Sequence, residues 1–380
     1  MSVTRVPVML PRLAAALISL ACATAVNASP PTAQYGLAFE DTFSGATVDT
    51  SRWDYRTDSK LYSTQVPAND VIDNGQFSIL MKQETVNGKN YTGGGILTKQ
   101  VFGYGYFEVQ AKTSSNNGWH NSFWMMRAEG SLTSGDHRYL EIDSFEINTT
   151  SPFSISSGIN TWNGTTHLGG PRCPNPNPSF NTSTDFHTYG ADWSEAGIDF
   201  YVDNVKYCHI AYSPATNRQD PINILLTAIA YQTPITVGGT PQLFDNVRFY
   251  KRDQYVINGY YGYSESGTGW ADSTLAGFGL IPARYSCTAG AKSTYAPGFN
   301  QAGTYEVWIW KTVNANADIA AKVDITAGGS TTTKTVNFAT GTSGWVDLGA
   351  YNFGTGSSGS VSNTVVNGCQ RASSVKFVRL

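Results

Sequence analysis

The apolar stretches of this chain are short, β-branched or aromatic, and cut apart by Gly, Asn, Ser and Pro. Gln76–Met81, Gly105–Lys112, Ser122–Met126, Gly197–Val202, Asn223–Ala228 and Asn246–Tyr250 are examples. No long stretch carries an apolar period of 3.6 residues with a cap at each end, so the pattern points to an all-β sandwich or jelly roll. Gly105-Tyr-Phe-Glu-Val-Gln-Ala-Lys alternates apolar and polar residues, as a half-buried strand does. Asp203-Asn204, between Ile198–Val202 and Val205–Cys208, reads as a hairpin turn.

At 380 residues the chain is long enough for two globular units. A seam falls near Lys251-Arg252-Asp253-Gln254, after an expected closing strand at Phe244–Tyr250. The Gly/Ser/Thr-rich remainder has its clearest strands at Gly303–Lys311, Ala320–Thr326, Lys334–Phe338, Gly344–Phe353 and Ser374–Val378. Net charge is −3 and no basic run exceeds two residues, which argues against nucleic acid as a partner. Many aromatics and glycines with few charges suit a neutral or weakly charged ligand, sugars among them.

The N-terminus is laid out as a secretory signal. Arg5 and Arg12 precede an apolar run from Leu13 to Ala25, and Val26-Asn27-Ala28 offers small residues for cleavage, so residues 1–28 are assigned to it. The mature chain is expected to be secreted, extracellular, free of the membrane and monomeric. Cys22 leaves with the signal, and Cys173, Cys208, Cys287 and Cys369 remain. Four cysteines allow three pairings. If there are two units, Cys173–Cys208 with Cys287–Cys369 is the economical one.

The chemistry concentrates in Tyr139-Leu-Glu-Ile-Asp-Ser-Phe-Glu-Ile147, with three carboxylates, Glu141, Asp143 and Glu146, in an apolar setting that reads as strand. Strands alternate faces with period two. Glu141 and Asp143 therefore share a face, while Glu146 points the other way in a regular strand. One β-bulge between Asp143 and Glu146 restores the parity and aligns all three. The competing reading is a polar-faced edge strand with Glu146 outside it.

Several ordered motifs make residues 37–252 resemble glycoside hydrolase family 16. They are Phe39-Glu-Asp-Thr-Phe-Ser-Gly45 with Val48-Asp49 and Arg52-Trp53; Gly105–Lys112; Gly118-Trp-His-Asn-Ser-Phe-Trp-Met-Met126; the bulged Glu141-Ile-Asp-Ser-Phe-Glu146; and Phe186–Trp193 with Gly197–Asn204. The resemblance implies a two-sheet β-jelly-roll catalytic domain and retaining hydrolysis of a β-linked polysaccharide. Carried over by motif position, Glu141 is the nucleophile and Glu146 the general acid/base, with Asp143 between them. Retaining hydrolysis needs one ionised carboxylate to attack and a protonated one to donate, about 5–5.5 Å apart. Crowded acids split their proton affinities, which helps to divide the roles.

Other residues take expectations from the same resemblance. Trp119 aligns with a sugar-stacking tryptophan, and Trp124 is expected in the core. Asn160 and Trp162, on the next strand, are candidate substrate contacts, and His167 is expected in a loop. His120 either donates to a sugar hydroxyl or caps its strand. Arg127 and Arg138 flank the acidic strand's loop, where arginines suit an anionic substrate. Catalysis requires no cofactor. Some relatives hold a structural Ca²⁺, for which Glu40, Asp41 and Asp245 are the matching oxygens here.

Residues 255–380 resemble a golvesin C-terminal-like domain through Tyr255–Trp270, Ala302–Trp310, Trp345–Gly349 and Val375–Arg379. The resemblance implies a smaller β-sandwich in an accessory role, with Trp270, Tyr261 and Tyr263 as glycan contacts if exposed. A chain ending at Arg252 is then expected to keep its activity on soluble oligosaccharides. The combined expectation is a secreted endo-β-glycanase, with laminarin-type β-1,3-glucan placed first. The alternatives are a galactan hydrolase (agarase, porphyranase, carrageenase or β-1,3-galactanase), a transglycosylase and a non-catalytic glycan-binding protein.

Overall fold

The computed structural model describes residues 30–127 and 138–380, and of Arg138 only the backbone. The expected signal segment therefore lies outside the described residues. The described chain is all-β, with two single-turn 3₁₀ segments at Pro67–Asn69 and Phe278–Leu280.

Two large sheets, antiparallel except where Ser63–Gln65 runs parallel to Tyr91–Thr98, pack face to face as a jelly roll. The first runs, neighbour to neighbour, through Val205–Ile210, Gly197–Val202, His187–Ser194, Gly105–Lys112, Gln242–Lys251, Gln76–Ile79 and Asp70–Asp73, with Gly36–Asp41 also paired to Gln242–Lys251. The second runs through Thr166–Gly169, Ser156–Asn163, Arg138–Asn148, Trp119–Met126, Asn223–Ala230, Tyr91–Thr98, Ser63–Gln65 and Ser59–Lys60, with Trp53–Tyr55 also paired to Tyr91–Thr98. Between them lies an aromatic core that includes Trp53, Phe77, Phe107, Phe123, Phe145, Tyr189 and Phe244. Asp203 and Asn204 both take positive φ, 48° and 64°, and Val202 faces Val205 across them. That is the two-residue hairpin expected at this position, which such residues reach at low cost.

Gly105–Lys112 departs from the expected half-burial. Tyr106 and Glu108 are as buried as Phe107 and Val109, because Tyr201, Tyr250 and Arg248 cover the outer face. The alternation was real, but the outward face is roofed by neighbouring side chains.

Residues beyond the seam form sheets of four, five and three strands around a second core that includes Tyr295, Phe299, Val307, Val323 and Phe377. The strand expected at Lys334–Phe338 begins earlier, at Ser330, and ends at Val336. Disulfides join Cys173 to Cys208 and Cys287 to Cys369. The first ties the segment after Thr166–Gly169, at the edge of one large sheet, to Val205–Ile210 at the edge of the other.

The two units share a packed seam. Glu195 of the first accepts hydrogen bonds from Tyr255 Oη at 2.7 Å, Lys376 Nζ at 2.8 Å and Trp345 Nε1 at 3.2 Å. Tyr104 stacks edge-on against Tyr255 and Phe278. Tyr261 stands 83% exposed beside a seam cavity of about 820 Å³, whereas Tyr263 and Trp270 pack against the second core.

Candidate active site

The acidic strand, Arg138–Asn148, lies between Trp119–Met126 and Ser156–Asn163. On the first side Asp143 faces Trp124, Phe145 faces Phe123 and Glu146 faces Ser122. On the second, Asp143 faces Gly158 and Glu146 faces Ser156. Both neighbours thus take two steps where the acidic strand takes three, and the surplus residue is Ser144. Leu140, Ile142, Phe145 and Ile147 all enter the core. Glu141, Asp143 and Glu146 consequently point together onto the open face of the second sheet. The bulge that the parity argument required is present where it was required.

Each acid meets a different environment. Glu141 accepts from Asn160 Nδ2 at 2.7 Å and Trp162 Nε1 at 2.9 Å. Burial pushes its proton affinity up, and those two donors offset part of the rise. Asp143 is 1% exposed, and burial, then the charges of Glu146 and Glu141, hold its carboxyl well above the usual aspartate range. It accepts from Asn160 Nδ2 at 3.0 Å and from Arg172 Nη1 at 2.5 Å. Burial also pushes Glu146 upward, but His120 and Arg172 outweigh it and leave Glu146 below the usual glutamate range. Its Oε1 lies 3.2 Å from His120 Nε2, and its Oε2 accepts from Arg172 Nη2.

His120 also places Nδ1 2.8 Å from Asn148 Oδ1. With Nδ1–H donated to that oxygen, the Nε2–Glu146 contact holds one proton, on either the imidazole or the carboxyl. His120 therefore bridges the acid/base candidate to its own strand, beyond the capping role considered from sequence.

The structure exchanges the two tryptophans of Trp119–Met126. Trp119 is fully buried, donates Nε1–H to Thr236 O at 2.8 Å and packs against Tyr91. It cannot stack on a sugar. Trp124 is half-buried on the acid-bearing face, under the Arg56 guanidinium, with Nε1 3.2 Å from Thr227 Oγ1. Odd spacing puts the two rings on opposite faces, and parity with His120 and Asp143 decides which is which.

Asn160 and Trp162 are on the acid-bearing face, both bonded to Glu141. His167 lies in the strand Thr166–Gly169 rather than a loop, opposite Trp162 and 2.9 Å from Asn160 Oδ1. Arg127 is not in the cleft. It is 6% exposed at the seam, paired with Asp220 at 2.9 Å and in contact with the Tyr260 hydroxyl of the second unit. The side chain of Arg138 lies outside the described residues.

Two site residues escaped the sequence reading. Tyr231 is 41% exposed, with its ring 5.3 Å from that of His120. Arg172 reaches Asp143, Glu146 and Ser156. No motif marks it, and the nearest signal is its place beside Cys173, whose partner decides which edge this segment covers.

The proposed calcium ligands do not converge. Glu40 Oε1 is taken by Arg248 Nε at 2.7 Å, Asp41 Oδ2 by Trp53 Nε1 at 2.7 Å, and Asp245 Oδ1 by the Asn246 amide at 2.7 Å. No group of three or more His, Cys, Asp or Glu able to hold a metal occurs among the described residues.

Residues 57–240 match the model of glycosyl hydrolases family 16, and residues 266–379 that of the golvesin C-terminal domain. Just under half of the chain is thus similar to glycosyl hydrolases family 16. The chain is 32% identical over 162 residues to a β-glucanase of Acetivibrio thermocellus, covering 42% of this chain and 45% of the relative. It is 27% identical over 225 residues to glucan endo-1,3-β-glucosidase A1 of Niallia circulans, covering 50% and 31%. It is 27% identical over 188 residues to the κ-carrageenase of Pseudoalteromonas carrageenovora, covering 41% and 46%. The chain thus spans less than half the length of these curated relatives. Among solved structures, porphyranase B from Zobellia galactanivorans superposes with a TM-score of 0.51 at 18% identity, covering 57% of this chain and 92% of that one. The non-specific endo-β-1,3(4)-glucanase SCLam does so at 0.50 and 23%, covering 58% and 92%. At these identities the structural likeness establishes the fold.

Proposed function

We propose that this chain is a secreted, retaining endo-β-glycanase that cleaves a β-1,3-glucan of laminarin type by double displacement. Glu141 attacks the anomeric carbon, Glu146 first donates and then removes the proton, and Asp143 lies between them. The catalytic unit spans residues 37–252, and residues 255–380 form its accessory partner. The observation that carries the reading is the set of three carboxylates brought to one open sheet face by the Ser144 bulge, beside an accessible tryptophan. Bonds from Asn160 and Trp162 fix both oxygens of Glu141, which orients a nucleophile for one approach direction. Trp124, Trp162 and Tyr231 supply aromatic faces for sugar rings. Relatives named as β-glucanases and as an endo-1,3-β-glucosidase favour a β-glucan. The κ-carrageenase relative keeps a galactan as the second reading.

A reducing-sugar assay over laminarin, lichenan, agarose, porphyran, carrageenan and β-1,3-galactan identifies the polymer, with laminarin expected to release most product. Glu146→Gln is expected to lower turnover by about 10²–10⁴-fold with the fold intact. With azide and an activated glycoside, a Glu141→Ala variant should give a glycosyl azide of inverted configuration. Near-normal turnover in Glu141→Gln would refute the assignment.

A further inference from the structure

We propose that Arg172 is a removable cap on Glu146, which holds the acid/base carboxylate ionised in the free protein and must swing away before a proton can be delivered. The proposal rests on the assignment of Glu146 as acid/base. Arg172 divides its guanidinium between two acids, Nη1 on Asp143 and Nη2 on Glu146, with Nη2 also 2.6 Å from Ser156 Oγ. With His120 at Oε1 and Arg172 at Oε2, both oxygens of Glu146 are occupied. A guanidinium has donors only and keeps its charge throughout the working pH range. A proton on Oε2 therefore excludes the Arg172 contact, and a proton on Oε1 faces His120 rather than an incoming glycosidic oxygen. Delivery to substrate from Oε2 requires the arginine to leave.

The position is built into the fold. Gly158, opposite Asp143 in the register, has no side chain where one would collide with Arg172: a Cβ there would lie 2.7 Å from Pro171 O and 2.8 Å from Arg172 Cδ. The backbone on either side of Arg172 is pinned, Ile159 N donating to Pro171 O at 3.1 Å and Cys173 N to Ser157 O at 2.8 Å. The Cys173–Cys208 disulfide follows at once. The main chain is thus fixed, while the Arg172 side chain is one-third exposed, so that its way out of the contact leads to solvent.

Among the described residues, the charged and titratable groups facing Glu146 are Glu141 and Asp143 on its own strand, His120 on Trp119–Met126, and Arg172, with Tyr207 beyond Arg172. Ser156–Asn163 carries no ionisable side chain. Among the described residues, Arg172 is the permanent positive charge at this carboxylate. A general acid must be protonated in the free enzyme, so kcat/KM falls as pH rises through its pKa. An adjacent cation lowers that pKa and moves the fall to lower pH, and removing the cation moves it back up.

The test is the pH profile of kcat/KM on the polymer found active, for the full chain and Arg172→Gln. The alkaline limb is expected to move upward by about 1–3 pH units in the variant. Arg172→Lys keeps a charge but cannot span two carboxylates, so its limb should fall between the two. Equal loss of kcat/KM at every pH, with the limb unmoved, would overturn the cap and leave Arg172 a structural residue. Should the glutamine variant not fold, the lysine variant decides alone, and a limb at the wild-type position refutes the proposal. Glu146→Gln distinguishes the two levels. If it keeps wild-type turnover, the acid/base assignment fails. If it is inactive and the limb in the Arg172 variants is unmoved, only the cap fails.

Discussion

Two tryptophans five residues apart show how much a single side chain's face determines. Trp119 fills core volume between the sheets and satisfies its indole N–H on Thr236 O. Trp119→Ala is therefore expected to cost about 3–5 kcal/mol, read from denaturant unfolding. Trp124 stands on the open face between Arg56 and the acids. Trp124→Ala should leave unfolding nearly unchanged and raise KM several-fold on oligosaccharides. The reverse pattern, with Trp124 needed for stability and Trp119 for KM, would refute the exchange. Glycine argues the same point from the other side. At Gly158 the absent methyl group is what lets Arg172 lie against the strand.

At the scale of the element, the acidic strand can be treated as a regular strand with one residue inserted. Removing Ser144 would pair Asp143, Phe145 and Glu146 step for step with Trp124, Phe123 and Ser122, and with Gly158, Ser157 and Ser156. Every core residue stays inward and every acid stays on the open face. A Ser144 deletion is thus expected to fold and to retain turnover, with its preference across the polymer panel altered because Glu146 is re-aimed. Loss of the fold would show that the bulge is needed for more than direction. This element was legible in sequence down to the bulge, because parity is a property of spacing alone. The roofed outer face of Gly105–Lys112 was not, because its cover comes from Tyr201, Arg248 and Tyr250, nearly 100 residues or more away along the chain.

At the scale of the molecule, the second unit is fastened to the first at a buried polar cluster close to the cleft strands. Asp220 Oδ1 accepts from Arg127 Nη1 at 2.9 Å and from Tyr260 Oη at 2.6 Å. Arg127 directly follows Trp119–Met126, which pairs with the acidic strand, and Asp220 lies just ahead of Asn223–Ala230, the next strand on that side. Tyr260→Phe should cost about 1.5–3 kcal/mol, the range for a hydrogen bond to a charged group. Calorimetry of the full chain is expected to show one transition for both units. A chain ending at Arg252 would uncover Tyr104 and strip Glu195 of three donors. It is therefore expected to melt lower than the full chain, as an accessory unit that also stabilises its partner would require. Two well-separated transitions would refute this coupling of the units.

What the sequence determined by itself was local and periodic: short β-strands, the Asp203-Asn204 turn, three acids on one face, a seam after residue 250 and four cysteines for two bridges. Each follows from spacing along one strand or from the conformational preferences of a few neighbouring residues. What only the tertiary structure decided was which side of a strand is open and which distant group arrives there. Trp119 and Trp124 differ by parity alone, and the packing of the opposite sheet selects the inner one. Arg127 is drawn into the seam by Asp220 and Tyr260. Arg172 reaches the acids through a disulfide and a hollow at Gly158, contacts between segments whose meeting no spacing along the chain encodes.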